Sequence, residues 1–175
     1  AWIILHILKD KFGWGEPDTA GFIFNMSVGY NLEGILHSNV QRFLDKMLDC
    51  GAQKKAKLER LAKIYPRVRD LEIPDSLTDN ITISTMHGCP PDEVEKIGRY
   101  FVEERQLHTT IKLNPTLLGQ ERVRDILRGD LGYDGIGLVP EAFAEDLQPE
   151  RARATIRDLH AFARERGRVF GIKLT

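Results

Sequence analysis

The chain has 175 residues, 42% of them hydrophobic and 29% charged, with a formal net charge of -1. That is one domain's worth of chain with enough apolar material for a sizeable core. The balance excludes the basic excess of a general nucleic-acid surface and the acidic, apolar-poor composition of a disordered segment.

Taken in chain order, residues 1–12 read as an amphipathic or largely buried helix. Phe12-Gly-Trp-Gly-Glu-Pro17 is a loop of breakers. Gly21-Phe-Ile-Phe-Asn-Met-Ser-Val-Gly29 reads as a first strand, with Asn25 and Ser27 on one face by the period of two. Tyr30-Asn-Leu-Glu-Gly34 is the loop after it. Ser38 is placed to cap a helix whose inner face is Val40, Phe43, Leu44, Met47 and Leu48. Gly51 would end that helix. Lys54 to Tyr65 is a second, more charged helix facing inward through Leu58, Leu61 and Ala62, and Pro66 stops it.

The most informative stretch is Ile81-Thr-Ile-Ser-Thr-Met-His-Gly-Cys-Pro-Pro-Asp92. It opens as a β-branched strand, breaks at Gly88 and Pro90-Pro91, and passes into a helix marked by Val94, Ile97, Tyr100 and Phe101. Thr109 to Asn114 is the next strand, closed by Pro115. Gln120 to Arg128 is helical, and Tyr133-Asp-Gly-Ile-Gly-Leu-Val139 reads as a further strand. Pro149 opens a helix that buries Ala152, Ile156, Leu159 and Ala163, with His160 packed beside them and Arg151 to Arg166 forming a solvated, charge-rich outer face. Arg168 to Leu174 is the last strand.

Five strands alternating with helices imply βαβ units and a parallel sheet, either doubly wound or about half of an eight-stranded barrel. The chain opens without Met, inside an apolar segment, and stops inside a strand. It is therefore expected to be a fragment of a longer polypeptide, which favours the partial (β/α)8 TIM-type barrel. No G-x-G-x-x-G follows a strand, so a dinucleotide fingerprint is absent. The apolar opening Trp2 to Leu8 is far shorter than the roughly 20 residues of a membrane span. Cys50 and Cys89 are distant and lack C-x-x-C spacing, which points to a reducing, cytoplasmic setting.

Chemistry in such a sheet gathers at the C-terminal ends of the strands. Cys89 opens a helix, where the dipole favours a thiolate; it is a candidate acid or nucleophile, or simply a small residue filling the turn. His87 is a candidate general acid or anion contact, with a structural role as the alternative; no further ligands accompany it at metal-binding spacing. Lys112 stands in an apolar strand, where a cation needs a partner, and Lys173 competes with it in a similar setting. Either suits a flavin or phosphate contact or a Schiff base, or reaches solvent from a rim. Asn25, Ser27, Ser84, Thr85 and Asn114 are candidates for hydrogen bonding a planar cofactor or substrate, with loop capping as the plain alternative.

The motifs Phe24-Asn-Met-Ser-Val-Gly-Tyr30, Ser84-Thr-Met-His-Gly-Cys-Pro-Pro91, Ile111-Lys-Leu-Asn-Pro-Thr-Leu-Leu-Gly119 and Gly171-Ile-Lys-Leu-Thr175 resemble a family named for a selenate reductase subunit, composed of large iron–sulfur flavoproteins. The resemblance covers essentially the whole chain. That family's N-terminal region is similar, more distantly, to the flavin barrel of dihydropyrimidine and dihydroorotate dehydrogenases. The resemblance implies that residues 1–175 are a partial dehydrogenase-like barrel, with FMN as the cofactor expected in it. Cys89 would be the proton donor, with two extra residues between Ser84-Thr85 and Cys89 as a departure. Lys112, or Lys173, would contact the flavin. It places 4Fe-4S clusters and FAD/NAD(P) sites elsewhere in the polypeptide, whose remaining domains would be the partners alongside a small-molecule substrate. The alternatives are a Schiff-base lyase and a non-catalytic scaffold barrel.

Overall fold

The structure is a computed structural model that describes residues 1–14, 21–85 and 91–175. The chain divides into two compact units. One comprises Ala1–Asn25 and Ser38–Asp79; the other comprises Met26–His37 and Asn80–Thr175.

The first unit is helical. Helix α1 (Trp2–Phe12) ends at Gly13, whose φ of +63° is the left-handed conformation favoured by glycine. The unit also holds α3 (Ser38–Leu48) and α4 (Gly51–Leu61), followed by a 3-10 turn at Pro66–Asp70. Ile3, Ala62, Val68 and Ile73 form its core, with Trp2, Leu58 and Leu61 packed around them. Gly51 begins α4 and does not simply end α3. Its N–H donates to Asp49 Oδ1 at 2.9 Å, while the Cys50 N–H donates to Asp75 O at 2.8 Å. The strong apolar stripe expected of α3 buries only Leu44, and Phe43 is exposed.

Trp2, His6, Phe22 and Phe24 form an edge-to-face aromatic cluster, with the His6 ring 4.7 Å from Trp2 and 5.3 Å from Phe22. His6 Nε2 is buried with no hydrogen-bond partner among the described residues. Burial, then the charges of Lys9 and Lys54, push the His6 pKa below its ordinary 6.5.

The second unit is α/β. Its strands β1 (Met26–Val28), β2 (Asn80–Ser84), β3 (His108–Leu113) and β4 (Phe170–Leu174) form a four-stranded parallel sheet in the order β1-β2-β3-β4. The expected strand from Gly21 is shorter at its start, and Asn25 lies ahead of it in the first unit. Loop residues 30–34 include the start of a short helix, α2 (Leu32–Leu36), capped by Asn31 Oδ1, which accepts from Gly34 N at 2.9 Å. The Leu32 N–H, another donor without a helical partner, reaches Glu93 Oε2 at 2.7 Å.

Residues 133–139 are not a strand. Gly132 has φ +69°, Gly135 and Gly137 follow, and the Ile136 N–H turns back to Tyr133 O. Glycine at this density loses too much entropy in an extended ladder and offers no side chain to pack. Tyr133, Ile136 and Val139 are exposed accordingly. Helix α6 (Gln120–Asp125), a wider turn at Ile126–Asp130 and α7 (Pro140–Glu145) therefore lie between β3 and the last helix without adding a strand.

One face of the sheet is apolar. Helices α5 (Val94–Glu103) and α8 (Pro149–Glu165) contact its strands and each other. Ile81, Ile83, Ile97, Phe101, Ile111 and Leu159 are fully buried in this unit. His160 is exposed, a correction to the packing expected of it, because α8 turns Thr155, Leu159 and Ala163 inward instead. On β4, Ile172 and Leu174 are exposed. Among the described residues β1 and β4 each pair on one side only.

The two helices pack closely because residue 98 is glycine. A Cβ there would lie 2.6 Å from Leu159 Cδ1, and Leu159 is fully buried with nowhere to retreat. Gly98→Ala should destabilise by about 1–3 kcal/mol through overpacking, despite better helix propensity. Leu159→Ala alone should cost about 2–5 kcal/mol. Because the second change removes the first one's clash, chemical denaturation should show the double variant more stable than the sum of the singles.

In the first unit, His6 binds its proton more weakly folded than unfolded, so the unfolded state takes up the extra proton. Stability should be full above pH 6.5 and fall as pH drops from 6.5 through the lower folded pKa. His6→Gln should flatten that slope in a pH series of unfolding midpoints.

Candidate functional site

Parallel pairing decides which side chains share a face. The Cα partners run Ser27 with Thr82, Thr82 with Thr110, Thr110 with Gly171, and one row higher Ser84 with Lys112 and Lys112 with Lys173. Residues in register on parallel strands lie on the same side, and i, i+2 positions repeat that side. The face opposite the apolar one is therefore polar in two rows. Gly29 joins the upper row at the end of β1, since a Cβ there would sit 3.6 Å from Ser84 Cβ. A Cβ on Gly171 would meet Thr110 Oγ1 at 3.0 Å, so the lower row is crowded between β3 and β4.

Lys112 and Lys173 are thus neighbours. Adjacent strands run about 4.8 Å apart, and two like charges side by side at that spacing are unfavourable. Neither lysine takes part in an ion pair among the described residues. Lys112 is half-buried and Lys173 exposed. The arrangement offers an anion two donors on one face, at the strand ends where parallel α/β sheets hold ligands.

A second cluster closes the tops of β2 and β3. Thr85 Oγ1 donates to Lys112 O at 2.8 Å. Asn114 Nδ2 donates to Thr85 Oγ1 at 3.2 Å and to Asp146 Oδ2 at 3.0 Å. Asp146 also accepts from Thr116 Oγ1 at 2.5 Å and from the Leu147 N–H at 2.8 Å. Thr85, Asn114 and Asp146 are all buried. A carboxylate this deep is tolerated because its oxygens are supplied with donors.

Of the residues expected at the site, Ser84, Lys112 and Lys173 come together, as do Thr85 and Asn114. Ser27 lies one row below Ser84. Asn25 belongs to the first unit. His87 and Cys89 lie outside the described residues. Asp146, Thr116 and Gly29 had not been expected. Asp146 is 32 positions from Asn114, a separation over which no local pattern speaks. Among the described residues no group of three or more His, Cys, Asp and Glu is placed to hold a metal ion, and no helix is long and apolar enough to cross a membrane. The first unit carries an apolar groove of about 530 Å³ lined by Trp2, Ile4, Phe24, Leu61 and Ile64; it holds none of these candidates.

Thr85→Val removes a hydroxyl that both donates and accepts inside the cluster. It should cost about 1–3 kcal/mol, read as faster amide exchange at the C-terminal ends of β2 and β3 in the full-length protein.

Comparison with known proteins agrees with this architecture. The family model described as "Oxidoreductase YgfK, N-terminal TIM-barrel domain" matches residues 1–175. Proteins named "Putative oxidoreductase YgfK" from Escherichia coli (strain K12) and Escherichia coli O157:H7 are each 43% identical over 196 residues. The match covers 100% of this chain and 19% of each relative, so the chain spans a small part of their length. No solved structure matches. With its parallel sheet and flanking helices, the chain is an α/β protein that belongs to the family of the oxidoreductase YgfK N-terminal TIM-barrel domain.

Proposed function

We propose that this chain is the flavin-holding barrel region of a cytoplasmic, multidomain oxidoreductase. The observation that carries the proposal is the in-register row Ser84, Lys112, Lys173 on the polar face of the sheet. A planar cofactor with a phosphate and a ring that gains negative charge on reduction fits two adjacent cations beside an amide-bearing rim. FMN is the cofactor proposed. When bound, it would supply hydride or electron transfer.

The chain's own residues then have defined tasks. Lys112, anchored through its carbonyl to Thr85, stabilises negative charge on the ring or on substrate. Lys173 supplies the second cation. The two need not be alternatives, because the register makes them neighbours. Ser84 hydrogen-bonds ring atoms between them and Gly29. Cys89 is proposed as the acid that delivers a proton to substrate, with His87 assisting; the sequence carries both just beyond Thr85. Iron–sulfur clusters and an FAD/NAD(P) site would occupy other domains of the polypeptide and exchange electrons with this one. Selenate reduction is a finer reading that rests on sequence resemblance alone.

The full-length protein should show flavin and iron–sulfur absorbance and should release FMN in addition to FAD. Release of FAD alone would remove the flavin role and leave a scaffold barrel. Lys112→Met with Lys173→Met should abolish FMN retention while FAD content is unchanged. Cys89→Ala should slow turnover by about 10²-fold or more with FMN still bound, the scale of a lost general acid. An unaltered rate would remove Cys89 from the mechanism.

A further inference from the structure

The cluster above β2 and β3 decides which end of the Asn114 amide is offered to a ligand. The Thr85 hydroxyl proton is used on Lys112 O, so Thr85 Oγ1 can only accept from Asn114. Asp146, already receiving Thr116 and the Leu147 N–H, can likewise only accept. Both neighbours therefore demand the NH2 end of Asn114, and both of its hydrogens are taken. A flipped amide would set an oxygen against a buried carboxylate and lose two hydrogen bonds at once. Asn114 Oδ1 receives no donor among the described residues, yet it is not among the buried polar atoms that lack a partner. It is an oriented acceptor, one residue beyond β3 and two beyond Lys112.

We propose that Asp146 is a positioning residue that locks Asn114 with its carbonyl oxygen outward, and that the rim consequently takes a ring N–H at this point. The inference rests on the flavin reading above and makes it more specific. The ring imide N–H of the flavin is the group held by Asn114, while Lys112 and Lys173 take the anionic part of the same cofactor. A ligand presenting an acceptor in that place would meet oxygen with oxygen.

The test uses the full-length protein, stripped of flavin and reconstituted with FMN or with 3-methyl-FMN, in which the ring N–H is replaced by N–CH3. The wild type should bind FMN about tenfold or more tightly than 3-methyl-FMN, the loss of one oriented hydrogen bond plus a methyl group in its place. In Asp146→Asn the partner can also donate, the Asn114 amide is free to turn, and the preference should fall several-fold. Asn114→Ala should abolish the preference while leaving the Thr116 and Leu147 contacts of Asp146 in place; a preference that survives loss of the Asn114 amide overturns the proposal even if Asp146→Asn does not fold. A merely structural role would weaken both flavins equally, so an unchanged ratio in the two variants overturns the proposal. FMN bound by the wild type with no preference over 3-methyl-FMN overturns it while sparing the flavin reading. A wild type that takes up no FMN overturns the flavin reading, and the inference with it.

Discussion

The candidate site depends on strand register. In a parallel ladder, side chains level with one another share a face, and a shift by one residue would send every side chain to the opposite face. The apolar set Ile81, Ile83, Ile111 and Leu113 fixes the register of β2 and β3, because a slip by one residue would bury threonine and lysine against α5. Lys112 and Lys173 are side by side as a by-product of that hydrophobic constraint. The charges do not hold the sheet together. The sheet holds the charges together, against their mutual repulsion.

The second constraint is the buried cluster of Thr85, Asn114, Thr116 and Asp146. It ties the ends of two strands to a loop that arrives after a long excursion through α6 and α7. Such a cluster has few alternative arrangements, since each donor has one acceptor to satisfy and a carboxylate tolerates no wrong pairing. The cation row and the polar cluster meet at Lys112, whose backbone belongs to one and whose side chain belongs to the other.

Much of this was legible from residue patterns, and the failures have physical causes. The β-branched runs around Ile81 and Ile111 announced β2 and β3, and Pro149 announced α8. Residues 133–139 had the hydrophobic content of a strand, but Gly135 and Gly137, with Gly132 just ahead of them, removed the stiffness a ladder needs. His160 fell on the solvent side of α8 because Thr155 took an inward place that a hydrophobicity pattern assigns to Ile156. Lys112 and Lys173 looked like competitors for one task because a linear sequence carries no register. Asp146 gave no signal at all, since an acidic residue near Pro149 reads first as helix-start chemistry. Grouping of Ala1–Asn25 with Ser38–Asp79 depends on contacts that cross the β1 segment, which periodicity does not see.

Among the described residues β4 pairs on one side only, and this bears on how these 175 residues behave alone. An unpaired parallel edge presents a row of amide and carbonyl groups, and on β4 it is bordered by exposed Ile172 and Leu174. Sheets avoid such edges by closing, covering or charging them, and here Lys173 is the charge that β4 carries on its polar side. Expressed in isolation, the polypeptide would find its nearest substitute for a continuing sheet in another copy of itself. Clumping on purification would then report an open edge rather than a faulty fold.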